Sequence, residues 1–143
     1  MDEARHGTSE STELRLAIMR LSRLLRLETA ATDLSASRYA VLRWVVTSAP
    51  ISPGRLAELE RVTPPSMNRT VNCLVEEGLV TREDDPADGR KVLVRPTDRG
   101  IAVVADTQRR RDAWLAGRYA TLTDEEQAVL ARATEILGKL ADA

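Results

Sequence analysis

With 143 residues, 43% of them apolar and 30% charged, the chain has the size and make-up of one soluble globular domain, and its net charge is −1. A single cysteine, Cys73, and a single histidine, His6, exclude an intramolecular disulfide, a thiolate zinc site and histidine-based triads in a structured core. No glycine-rich phosphate loop occurs and no apolar run nears the ~20 residues that span a bilayer, so a cytosolic non-enzyme without metal or cofactor is expected.

Arginine outnumbers lysine 19 to 2, a codon bias that points to a GC-rich bacterial genome. Residues 1–10, "MDEARHGTSE", are polar and aperiodic and read as a flexible tail. Leu14, Ile18, Leu21 and Leu25 then repeat at i, i+4, i+7 and i+11, which predicts an amphipathic helix from 11 to about 31. The segment 11–33 is assigned to dimerisation.

Ser35 is a candidate N-cap for the next helix, which Pro50 ends. Val41, Leu42, Val45 and Val46 line one side and Trp44 nearly the opposite one, so this helix is expected between two packed layers. Ser52 and Pro53 open a short helix carrying Leu56, Ala57 and Leu59, which breaks near Val62. Thr63 caps the next, at about 64–77, and Gly78 ends it. Two short helices joined by a tight turn outline a helix-turn-helix. The segment "LVTREDDPADGRKVLVRPT" then reads as strand 79–84, turn 85–90 and strand 91–96, with Asp85-Pro86 and Asp88-Gly89 supplying the turn. Thr97 is a candidate cap for a helix reaching about Ala120. Thr123 and Glu126 stand at capping-box spacing before a last helix with apolar Val129, Leu130, Ala133, Ile136, Leu137 and Leu140.

On a helical wheel, Met67, Val71, Leu74 and Val75 share the core face of 64–77. Ser66, Arg69, Asn72 and Cys73 fall outside, with Pro65 near the start and Asn68 beside them. Guanidinium, amide and hydroxyl groups on an exposed helix are the types that reach base edges and phosphates in a major groove. A hairpin beside that helix would lie over the minor groove, whose negative potential attracts Arg90 and Lys91 at its tip, with Asp88 orienting Arg90. Tyr39, Arg43 and Trp44 offer an aromatic wall and a cation for a small anionic ligand. "QRRRD" at 108–112 reads as a solvated face or as dimer ion pairs, and Cys73 lacks a neighbour that would activate it.

Residues 34–100 resemble the MarR family of winged-helix transcription regulators. "LSASRYAVLRWV", "GRLAELERVTPPSMNRTVNCLVEEGLVTRE" and "DPADGRKVLVRPTDRG" carry the likeness, the last being similar to the wing pattern DPxDxRxxxVxLTxxG. The resemblance implies a mainly α fold: a winged helix-turn-helix over 34–100 with a two-stranded hairpin wing, flanked by dimerisation helices at 11–33 and 97–143. It further implies a homodimeric repressor on a pseudo-palindromic double-stranded DNA operator, released by a small aromatic or lipophilic anion. Pro96 stands where the family has leucine, which is expected to shift the end of the second strand, and Cys73 replaces a polar or basic residue. The opposing consideration is charge: residues 53–100 hold eight Arg/Lys against nine Asp/Glu, which suits a winged-helix protein-interaction module that does not bind DNA.

Overall fold

The computed structural model describes residues 3–28 and 34–143, with side chains from Ser9 onward. In chain order they form α1 (Glu3–Glu28), α2 (Ala36–Ser48), α3 (Pro53–Glu60), α4 (Pro64–Glu76), β1 (Val80–Asp84), β2 (Val92–Pro96), α5 (Asp98–Tyr119) and α6 (Asp124–Asp142). The tail expected over 1–10 is instead helical from Glu3. Extending an existing helix costs far less than nucleating one, and no proline interrupts the segment. The expected helix end near 31 and the 11–33 boundary lie outside the described residues.

Two compact units result. One holds α2 to β2 and the start of α5 through Arg109; the other holds α1, the chain from Arg110 and α6. All the strongly buried apolar side chains among the described residues lie in the first unit. Leu42 and Val45 from α2, Leu56 from α3, and Met67, Val71 and Leu74 from α4 meet Val80 and Val94 of the hairpin there. Burying each such side chain is worth about 1.5–3 kcal/mol, so this cluster holds α4 against its supports. Val75, expected in the core, is 38% exposed, because it lies at the edge of the Met67–Val71–Leu74 stripe.

Local chemistry sets the helix ends. Ser35, Ser52 and Thr63 each accept the N–H three residues on, from Arg38, Arg55 and Ser66 respectively. The strands pair antiparallel with Val80 opposite Pro96 and Asp84 opposite Val92. Pro96 therefore closes β2 without shortening it; a proline is tolerated on an edge strand, where its missing N–H breaks no ladder. Ile51 adds a short third rung, exchanging hydrogen bonds with Val94 at 3.2 and 2.8 Å.

A joint follows the wing. Thr97 donates its N–H to Leu79 O at 3.0 Å and its hydroxyl to Gly78 O at 2.7 Å, while its Oγ1 accepts from Gly100 N at 3.1 Å and so caps α5. Arg99 donates to Glu77 O at 3.0 Å. The end of α4 and the start of α5 are thereby tied together.

In the other unit, Thr123 and Glu126 form the expected capping box. Tyr119 and Gln127 lock the preceding turn, with Tyr119 Oη donating to Gln127 O at 2.8 Å and Gln127 Nε2 donating to Tyr119 O at 3.0 Å. Leu14, Leu16, Ile18, Met19 and Leu21 of α1, and Val129, Leu130, Ile136 and Leu140 of α6, are exposed in the single chain. No described helix is long and apolar enough to cross a membrane, and no described cluster of His, Cys, Asp and Glu could hold a metal.

Candidate nucleic-acid interface

The core positions α4 so that its other face is free. Pro65, Asn68, Arg69 and Asn72 are exposed and Ser66 is half-buried. Residues 65, 69 and 72 follow an i, i+4, i+7 stripe, one turn above another on a single face. Arg69 makes no hydrogen bond or ion pair among the described residues, so its guanidinium is available. Cys73 is different. It is partly buried, and Nη2 of Arg38 lies 3.5 Å from its Sγ while Nη1 of Arg38 pairs with Glu77 at 3.1 Å. The thiol thus faces the first turn of α2 and not the exposed stripe on which the helical wheel placed it.

The wing tip is shaped by two aspartates. Asp85 Oδ1 accepts from Ala87 N at 2.8 Å, and Asp88 Oδ1 accepts from Arg90 N at 3.1 Å. Asp88 therefore holds Arg90 by its backbone and not by an ion pair with its side chain. An Asx turn fixes the chain direction and leaves the guanidinium unpaired. Arg90 and Lys91 are both exposed, and neither has a salt-bridge partner among the described residues. The backbone N–H of Lys91 closes the turn onto Asp88 O at 2.9 Å.

Sequence reasoning missed one link. Arg82, on β1, donates Nη2 to Asn68 O of α4 at 3.4 Å. Its side chain spans from wing to helix, a cross-element contact that no local periodicity encodes. The unpaired arginines contrast with their neighbours: Arg55 pairs with Glu58, Arg95 with Glu83 and Arg38 with Glu77. Much of the acidic charge of this unit is thus engaged away from Arg69 and Arg90. A near-neutral total does not describe the face that carries them.

Tyr39, Arg43 and Trp44 are not brought together around a cavity. Tyr39 lies in the core, Arg43 is exposed, and Trp44 Nε1 donates to Glu60 Oε1 at 2.7 Å, tying α2 to α3. Trp44 stands about 100° round the helix from Arg43, which sends it to α3, while Arg43 remains in solvent and Tyr39 in the core. A cavity of about 470 Å3 opens instead among α2, the end of α4 and the start of α5, lined by Leu34, Arg38, Glu76, Glu77, Leu79, Arg99 and Val103.

A half-buried helix pair with a free second-helix face, and a hairpin with arginine at its tip, define a winged helix-turn-helix of the regulator class. The model of the MarR family matches residues 32–91. An HTH-type transcriptional regulator of Mycobacterium tuberculosis is 39% identical over 132 residues, 92% of each chain. An HTH-type transcriptional repressor of the same species is 29% identical over 136 residues, covering 92% of this chain and 98% of that one. Among solved structures, a Staphylococcus aureus MepR mutant bound to an oligodeoxyribonucleotide superposes with a TM-score of 0.70 at 19% identity, over 92% of this chain and 97% of that one. This chain belongs to the MarR family and is a transcriptional regulator, not an enzyme.

Proposed function

We propose that the chain is a homodimeric, sequence-specific DNA-binding repressor that acts in the cytoplasm. One observation carries the reading: Arg69 on the α4 face and Arg90 at the wing tip stay unpaired among the described residues, while Arg38, Arg55 and Arg95 are engaged with carboxylates. In this reading Pro65, Ser66, Asn68, Arg69 and Asn72 enter the major groove. Arg90 and Lys91, set by Asp88, reach the neighbouring minor groove or its phosphates. The oligonucleotide held by the S. aureus relative and the repressor activity named for the mycobacterial one support it.

Dimerisation follows from the apolar faces of α1 and α6, whose Leu14, Leu16, Ile18, Met19, Val129, Ile136 and Leu140 stay exposed among the described residues. Two-fold symmetry makes the operator pseudo-palindromic, with half-site centres about 34–36 Å apart. For release we infer a small aromatic or lipophilic anion, held in the cavity by Arg38 and Arg99 against Leu34, Leu79 and Val103 and not by Tyr39, Arg43 and Trp44. It would act only so far as it binds one spacing of the two α4 helices better than the other.

The test is operator binding to the DNA flanking the protein's own coding region, at two salt concentrations. Expected is binding that exceeds that to random DNA and weakens with salt. Equal affinity for both DNAs would favour the protein-interaction module instead. Salicylate-class compounds at millimolar levels should weaken the complex, and no change in DNA affinity or thermal stability excludes that ligand class.

A further inference from the structure

Arg61 is the one non-glycine residue with positive φ among the described residues, at φ 53° and ψ 44°. It ends α3: its N–H points at the carbonyls of Ala57 and Glu58, and the N–H of Val62 donates to Ala57 O at 3.0 Å. Helices that finish this way favour glycine, because a Cβ in the left-handed region crowds the following carbonyl. The arginine side chain returns nothing to the fold. It is exposed, and it makes no hydrogen bond or ion pair among the described residues.

The start of α4, just beyond it, gives a second and independent observation. Helix N-termini commonly bind a phosphate through free N–H groups in the first turn. Here Pro64 and Pro65 have no N–H, and the N–H of Ser66 is turned onto Thr63 Oγ1 at 3.4 Å. The first three helical residues therefore offer no free main-chain donor. The helix keeps its dipole but needs a donor from elsewhere.

We propose that Arg61 supplies that donor, its guanidinium binding the DNA phosphate that lies against the start of α4. Arg61 stands two residues before the cap Thr63, and its planar fork matches two phosphate oxygens. A backbone contact of this kind sets register and affinity and carries no base preference. It also accounts for arginine at a position where glycine would suit the chain better. The inference rests on the DNA-binding reading above.

The experiment compares the full-length protein with Arg61→Gly, Arg61→Lys and Arg69→Ala. Arg61→Gly relieves the backbone, so its melting temperature should hold or rise by up to about 4 °C. Its operator affinity should nevertheless fall about tenfold per half-site, by the same factor on every operator variant. The log–log salt slope should lose about one unit per half-site. Arg61→Lys should recover part of the affinity, since the charge returns without the fork. Unchanged affinity and slope in Arg61→Gly overturns the proposal, and the regulator reading survives if Arg69→Ala still weakens binding. A wild-type protein that selects no DNA sequence overturns both.

Discussion

Gly100 packs against Leu79 so closely that a Cβ on it would stand 2.1 Å from the Leu79 carbonyl oxygen. The same oxygen accepts the N–H of Thr97, so it cannot retreat without breaking the joint between wing and α5. The obstacle is backbone, and no side-chain rotation relieves it. Gly100→Ala is expected to destabilise the protein by about 1–3 kcal/mol, the range of an overpacked core. Urea unfolding measures this, and a wild-type midpoint would show that the joint yields.

Arg90→Ala should cost about 1–3 kcal/mol of operator affinity per half-site and flatten the salt dependence by about one unit for each phosphate that Arg90 neutralises. Folding stability should stay within about 0.5 kcal/mol, because the side chain is exposed and unpaired.

Asp88→Ala acts on Arg90 through the backbone. Without the carboxylate that receives the Arg90 N–H, the turn loosens and Arg90 is less often in place. A smaller affinity loss than Arg90→Ala is expected, with the charge, and hence most of the salt slope, kept. Binding isotherms at three salt concentrations separate the two variants. An Asp88→Ala loss larger than that of Arg90→Ala would mean that the turn does more than aim one side chain.

The sequence exposed what is local and periodic. Caps at Ser35, Ser52, Thr63 and Thr123, the turn aspartates and the Met67–Val71–Leu74 stripe are signals within a few residues, and each stands where the pattern places it. Contacts between distant segments were not legible. Arg82 reaches Asn68 across 14 positions and Arg38 reaches Cys73 across 35, and helical periodicity carries no information about either. The trio Tyr39, Arg43 and Trp44 failed to converge for the same reason: residue types suggested a pocket, but neighbours decide where each side chain goes. The helical residues before Ser11 were missed because propagation from α1 outweighs a polar, aperiodic composition.

Arg69 lies on the exposed face of α4, where base edges would be read, so its removal should change selectivity as well as strength. Arg69→Ala is expected to weaken operator binding by about 1–3 kcal/mol per half-site and to narrow the gap between the operator and single-base variants. Arg90→Ala should leave that gap nearly unchanged. Competition binding against a panel of substituted operators reads the difference. Equal losses on all sequences would place Arg69 on a phosphate.

Ile136 on α6 is 51% exposed, and it stands in line with Val129 and Leu140, exposed by 63% and 61%. None of them belongs to the buried cluster of the winged helix. Ile136→Arg should therefore leave that unit folded and act on assembly alone. Burying an unpaired guanidinium in an apolar interface costs several kcal/mol, and a two-fold interface receives the charge twice. Light scattering at micromolar concentration should report a dimer for the wild type and a monomer for the variant. Operator affinity should fall about 10²–10⁴-fold, because two half-sites are no longer engaged by one particle. Binding to an isolated half-site should hardly change, which separates lost assembly from a damaged reading head. A dimeric Ile136→Arg protein would move the interface off this face of α6, and a monomeric wild type would remove the symmetry argument for a pseudo-palindromic operator.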